Sequence, residues 1–174
     1  MQLTPDETRR LLALVADHLA TIEMPISEPF VGFSEVAFTA QIVTPSVREL
    51  VERIDVPGLH VSGEGAGPIL YATMLGMRFH PDVAITLFGQ QLVAVEVKIL
   101  RSTGRQYAFA TALGQSEIYL ASGYGGVVTL LITERAIETD EIARTRALLE
   151  TSKRKLVVRS HAGAYVAADR SWLT

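Results

Sequence analysis

"PDVAITLFGQQLVAVEVKIL", residues 81–100, decides how the rest of the chain is read. Two apolar runs flank Gly89, Gln90 and Gln91, and together they read as a β-hairpin. Side chains alternate along a strand, so Val83, Ile85, Leu87, Val93, Val95, Val97 and Ile99 share one uniformly aliphatic face. With a three-residue loop, Phe88 faces Leu92, Thr86 faces Ala94, Ala84 faces Glu96 and Asp82 faces Lys98. The second face then gathers Asp82, Glu96 and Lys98 beside the small Ala84 and Ala94. Directly opposed residues lie about 4.5–5.5 Å apart at Cβ, close enough for these groups to share a metal ion or a proton. A loop of two or four residues would turn Asp82 to the aliphatic face unless a bulge restored it.

The charges are expensive where they stand. Neighbouring carboxylates repel, each buried ion costs several kcal/mol, and one lysine neutralises only one acid. A divalent cation balances the set, and paired carboxylates with a backbone carbonyl and water are what Mg²⁺ accepts, with Mn²⁺ as a substitute. Such an ion polarises a phosphate oxygen and activates water, while Lys98 positions that water or offsets transition-state charge. The plainer alternative is a solvated strand carrying a cross-strand ion pair.

The chain of 174 residues suits one domain over 1–174, with N-terminal helices in 1–55, a core in 60–133 and a closing helix and strand in 134–174. Apolar residues make up 48%, and cysteine is absent, which excludes disulfides, thiolate metal sites and a cysteine nucleophile. No basic segment followed by an apolar one opens the chain, and no apolar run has membrane-spanning length, so a cytoplasmic protein without membrane partners is expected. Net charge is −3, yet residues 76–174 hold twelve basic and nine acidic side chains. Arg101, Arg105, Lys153, Arg154 and Lys155 are therefore candidate nucleic-acid contacts, with a solvated helix end as the ordinary reading of 153–155.

"TPDE" at 4–7 combines an N-cap, a proline at the first helical position and a capping box, so 5–22 reads as helix. Residues 23–33 read as a connection, and 34–43 fit helix or strand equally. Thr44 and Pro45 look like the cap of a following helix. "HVSGEGAGP" at 60–68 reads as a loop; without a closing Gly-Lys-Ser/Thr it is a poor phosphate cradle. Strands are expected at 69–77, 82–88, 92–100, 127–133 and 156–159, with helices at 104–121 and 138–151. This order implies an α/β sandwich with a mixed central sheet.

Pro81-Asp82 and Glu96-Val97-Lys98, with thirteen residues between the acids, resemble the motif of the PD-(D/E)xK nuclease superfamily. Gln115 and Tyr119 in "GQSEIY" resemble the Gln-xxx-Tyr element of the branch typified by recombination-helicase nuclease domains. The resemblance spans about residues 34–133 and implies a restriction-endonuclease-like α/β/α sandwich. It further implies Asp82, Glu96 and the Val97 carbonyl as metal ligands, Lys98 as the catalytic lysine, Gln115 as an auxiliary residue and Tyr119 as a support. Glu35 is the candidate for the family's acid on the preceding helix, with Glu64 second; both also fit ordinary helix-start or loop roles.

The expected activity is Mg²⁺-dependent hydrolysis of phosphodiester bonds in nucleic acid, with DNA the favoured substrate. A chain this small would work as a homodimer or within a larger assembly. The rival is a catalytically silent module of the same fold that binds nucleic acid or serves as a scaffold. The histidines offer no competing site: His18 is expected on a helix surface, His60 and His161 in loops, and His80 in a structural role beside Pro81. No serine has the Gly-x-Ser-x-Gly setting of an acyl-transfer nucleophile.

Overall fold

The computed structural model describes residues 2–24, 34–67, 71–134 and 136–160. Most of the expected connection at 23–33, and His161, lie outside them. Helix α1 (Pro5–Thr21) begins with the anticipated capping box, in which Thr4 and Glu7 satisfy each other's backbone N–H groups. A second helical stretch runs without a break through α2 (Glu35–Phe38), a π turn (Thr39–Val43) and α3 (Thr44–Ile54). Thr44 and Pro45 thus sit inside a continuous helix and do not cap a new one. The wider π turn relaxes the i→i−4 ladder where Pro45 has no N–H to give.

The central sheet has the order β1-β4-β5-β6-β7, from β1 (Leu59–Gly63), β4 (Val83–Leu87), β5 (Gln90–Leu100), β6 (Gly126–Thr133) and β7 (Arg154–Ser160). The β1–β4 and β4–β5 pairs are antiparallel, whereas β5–β6 and β6–β7 are parallel. The sheet is mixed, as expected, because α4 (Arg105–Ala121) and α5 (Thr139–Leu149) are the crossovers that parallel strands require. Two expectations are corrected here. The first part of the stretch 60–68, read as loop, belongs to the edge strand β1, whose Val61 is buried in the core shared with α3. Of residues 69–77, read as one strand, 69–70 lie outside the described residues, and from 72 onward the chain forms β2 (Ala72–Met74) and β3 (Met77–Phe79), a separate two-stranded hairpin turning at Leu75 and Gly76.

The aliphatic face of β4–β5 packs as its periodicity required. Val83, Ile85, Leu87, Val93, Val95, Val97 and Ile99 join Leu12, Val15 and Leu19 of α1 and Val43 and Val47 of the second helical stretch in one cluster. The opposite face carries Ala84 and Ala94 against Tyr119 of α4. Leu100 and Leu131 continue that layer with Ala112, and Leu149 at the end of α5 packs against them. Helices thus cover both faces of the sheet. Among the described residues no helix is long and apolar enough to cross a membrane.

The hairpin turn differs from the three-residue loop. Leu87 pairs with Gln90 and Thr86 with Gln91, so Phe88 and Gly89 alone make the turn. The register then shifts, leaving Leu92 as the extra residue, and Ala84 pairs with Ala94 and Val83 with Val95. Thr86 and Leu87 pair three positions from the expected place and the residues beyond the bulge two, so the bulge restores the parity that a two-residue turn would have broken. Phe88 and Leu75 each occupy the first position of a two-residue turn with φ of 47° and 51°. Left-handed backbone costs a side-chain-bearing residue about 1–2 kcal/mol. Phe88 has a local reason for it: its ring lies where a Cβ on Gly58 would sit, and its N–H donates to the Gly58 carbonyl at 3.1 Å.

A candidate metal and catalytic centre on the open edge of β5

β5 outruns β4. Their pairing ends at Val83↔Val95, so the last five residues of β5 have no strand on that side. Unpaired strand edges demand partners, and here two carboxylates supply them. Asp82 Oδ2 accepts from the Val97 N–H at 2.6 Å, and Glu35 Oε2 accepts from the Ile99 N–H at 3.2 Å. Glu35 reaches this edge because Ser34 caps α2, its hydroxyl accepting from the Ala37 N–H at 3.0 Å, which sets Glu35 as the first helical residue.

Asp82 is fixed from its other side by β1. The Glu64 N–H donates to the Asp82 carbonyl at 3.0 Å, carrying the β1–β4 ladder one step further. Gly63 makes this approach possible: with φ of 133°, a Cβ there would lie 2.2 Å from the Asp82 carbonyl oxygen. Glu64 therefore contributes backbone to the site.

Lys98 is the hub. Its Nζ lies 2.6 Å from Glu35 Oε1 and 2.9 Å from Glu96 Oε1, and it donates to the Val97 carbonyl at 3.2 Å. The contact with Glu96 is an ion pair by distance only, since Oε1 receives no aligned hydrogen bond. Glu96 is fully buried. Its other oxygen accepts from the Tyr119 hydroxyl at 3.0 Å, and that hydroxyl also approaches the His80 carbonyl at 2.6 Å.

The electrostatics follow from burial. Desolvation pushes the Glu96 carboxyl up to about 7, with the Asp82 charge adding to the rise and Lys98 opposing it. Desolvation likewise pushes Asp82 up to about 6, against the pull of the Val97 N–H and Lys98. Burial draws the Lys98 ammonium down, but Glu96, Glu35 and Asp82 outweigh it and hold the group above the usual lysine range. Burial and the adjoining Glu96 charge drive the Tyr119 hydroxyl far upward, so it stays a neutral donor.

These residues fit a hard divalent cation. Asp82, Glu96 and the Val97 carbonyl are oxygen donors, and Glu96 presents a buried oxygen without a hydrogen bond. Among the described residues no three histidine, cysteine, aspartate or glutamate side chains form a ready cage, so water would complete the shell.

Of the residues singled out in the sequence, Asp82, Glu96, Val97, Lys98 and Glu35 come together. Gln115 does not touch the carboxylates; it lies 3.5 Å from the Tyr119 hydroxyl, and its buried Oε1 has no partner. Tyr119, read as a support, is the member of that pair that holds a site acid. Arg101 follows β5 at the site's end of the sheet, and Arg105 opens α4 beside it. The 153–155 run lies elsewhere: Arg154 is level with Ala94 two strands away and pairs with Glu117, and Lys155 lies 4.0 Å from Glu150. Lys153 is exposed, and the run forms a turn and the start of β7, not a helix end. His60 lies on β1, and His18 ties α1 to α3 through the Ser46 hydroxyl at 2.7 Å.

Compared with family models, curated proteins and solved structures, the chain has no match.

Proposed function

We propose that this protein is a Mg²⁺- or Mn²⁺-dependent nuclease of the PD-(D/E)xK type with a restriction-endonuclease-like fold. One observation carries the reading: three acids gather on the open edge of β5, Glu35 and Glu96 on the Lys98 ammonium and Asp82 on the neighbouring Val97 N–H. A structural ion pair needs one acid; three acids, two of them with proton affinity raised by burial, match a site that a cation completes.

Asp82, Glu96 and the Val97 carbonyl would hold the cation, which supplies a polarised phosphate oxygen and a more acidic water. The Val97 and Glu64 N–H groups orient Asp82 from two directions. Tyr119 fixes the Glu96 rotamer. Glu35 anchors Lys98, leaving its ammonium to orient the attacking water and offset charge at phosphorus. Arg101 and Arg105, at the same end of the sheet, suit the adjoining phosphates.

The silent-module alternative draws on the same hub, because Lys98 already pairs with two acids. Cleavage assays separate the two. Single-stranded, duplex and branched DNA are offered with Mg²⁺ or Mn²⁺ to wild type, Lys98→Ala and Asp82→Asn, with folding followed by circular dichroism. Metal-dependent cutting by wild type alone supports the nuclease; equal inactivity of all three on every substrate leaves the silent module.

A further inference from the structure

The β2–β3 hairpin is the part of the molecule the catalytic reading leaves unused, and its tip lacks a local explanation. Leu75 adopts left-handed backbone at the turn and is 90% exposed. Unlike Phe88, it meets nothing among the described residues that would repay the conformation, and such outliers point to function. Met77, just after the turn, and Tyr71, at the base of the hairpin, are also more than half exposed. The Arg78 guanidinium lies 5.6 Å from the Tyr71 ring centroid, and the His80 ring meets Tyr71 edge-on at 5.6 Å.

Three further observations select the partner. From Gly65 to Pro81 the chain has no acid and carries Arg78 and His80, although the protein as a whole is acidic. The hairpin runs directly into the site, with Phe79 three residues before Asp82. Its base is anchored there by the Tyr119 hydroxyl on the His80 carbonyl. An apolar tip, a cation and an aromatic ring without nearby negative charge suit nucleobases, whose faces stack on such groups and whose backbone repels acids.

We propose that the β2–β3 hairpin binds unpaired nucleobases next to the scissile phosphate. Leu75 at the turn presses against the bases as a wedge, and Tyr71 with Arg78, on one face of the hairpin, forms the stacking platform. This rests on the nuclease reading and narrows it: the favoured substrate has single-stranded or frayed nucleotides at the cut.

The test is fluorescence anisotropy with labelled single-stranded and blunt duplex DNA of equal length, in EDTA, so that no cleavage is needed. Full-length wild type is compared with Leu75→Asn, which suits the turn's left-handed backbone and keeps the fold, and with Leu75→Asn/Tyr71→Ala. The expected result is tighter binding of the single strand by wild type, weakened about tenfold in the double variant and less in Leu75→Asn, with duplex binding little changed. Unchanged affinity in both variants, or no single-strand binding by wild type, overturns the hairpin's role. A shift from dimer to monomer in the variants, read by sedimentation, would overturn it in favour of a second copy as the occupant. The nuclease reading is judged separately, by metal-dependent cleavage and its loss in Asp82→Asn.

Discussion

The two faces of β5 are built from alternate residues of one strand and serve opposite ends. On one, Val93, Val95, Val97 and Ile99 are buried among aliphatic groups of α1 and the second helical stretch. On the other, Glu96 and Lys98 are almost as deeply enclosed but carry charge. The first face gains free energy with every methylene it hides. The second holds carboxyls whose raised proton affinity measures how unwelcome their charge is. Apolar packing and buried charge are thus separated by a rotation of half a turn about the strand, without any separation along the chain.

Substitutions break this contrast to different degrees. Lys98→Ala should affect activity most, lowering the metal-dependent cleavage rate by about 10²–10³-fold, the loss expected when a preorganised charge is removed; single-turnover kinetics checks it. Gly63→Ala should damage both faces together. Its methyl would meet the Asp82 carbonyl oxygen and Val83 Cα, both backbone atoms that cannot swing away. Stability should fall by about 2–3 kcal/mol, with weaker Mn²⁺ binding by calorimetry as Asp82 moves. Val95→Ala should cost about 2 kcal/mol in urea unfolding while leaving the cation affinity unchanged, because it touches only the aliphatic face.

Glu96→Gln should do the reverse, weakening cleavage, though less than Lys98→Ala does, yet stabilising the metal-free fold by about 1 kcal/mol at pH 8, through relief of a buried charge. The pH dependence has a definite sign. Glu96 moves from 4.5 to about 7 on folding and Asp82 from 3.8 to about 6. Across these windows the native protein keeps protons that the unfolded chain has released, so stability falls as pH rises from about 4 to 7. Urea midpoints in EDTA from pH 4 to 8 should show that fall in wild type and a shallower one, ending near pH 6, in Glu96→Gln.

Much of this organisation was legible in residues 81–160, where period-two alternation and helix patterns are uninterrupted. Parity alone put Asp82, Glu96 and Lys98 on one face, and parity survived the mistaken loop length because a bulge at Leu92 compensated for the shorter turn. What escaped notice depended on particular backbone conformations. β1 was hidden by glycines, of which Gly63 is dictated by the approach of Asp82 and not by a loop. The β2–β3 turn was missed because leucine carries no turn signal in its side chain. Glu35 was named as a candidate, but its approach to Lys98 across 63 residues of chain depends on tertiary packing, which periodicity does not record. The π turn blurred the helical repeat beside it. The Tyr119 ring is core, and only its hydroxyl reaches Glu96, a contact that helical spacing does not record.

The carboxylates that replace a missing strand along β5 give the site a built-in spectroscopic reporter. The Val97 amide proton points at Asp82 Oδ2 over 2.6 Å, and the Ile99 proton points at Glu35. Short bonds to charged oxygens move amide resonances far downfield. In a nitrogen–proton correlation spectrum the Val97 signal should stand apart from the sheet, following Asp82 as pH changes its charge, and both signals should respond to added Mg²⁺. The occupancy of the centre can thus be read from the backbone of an unmodified protein, with no substrate present.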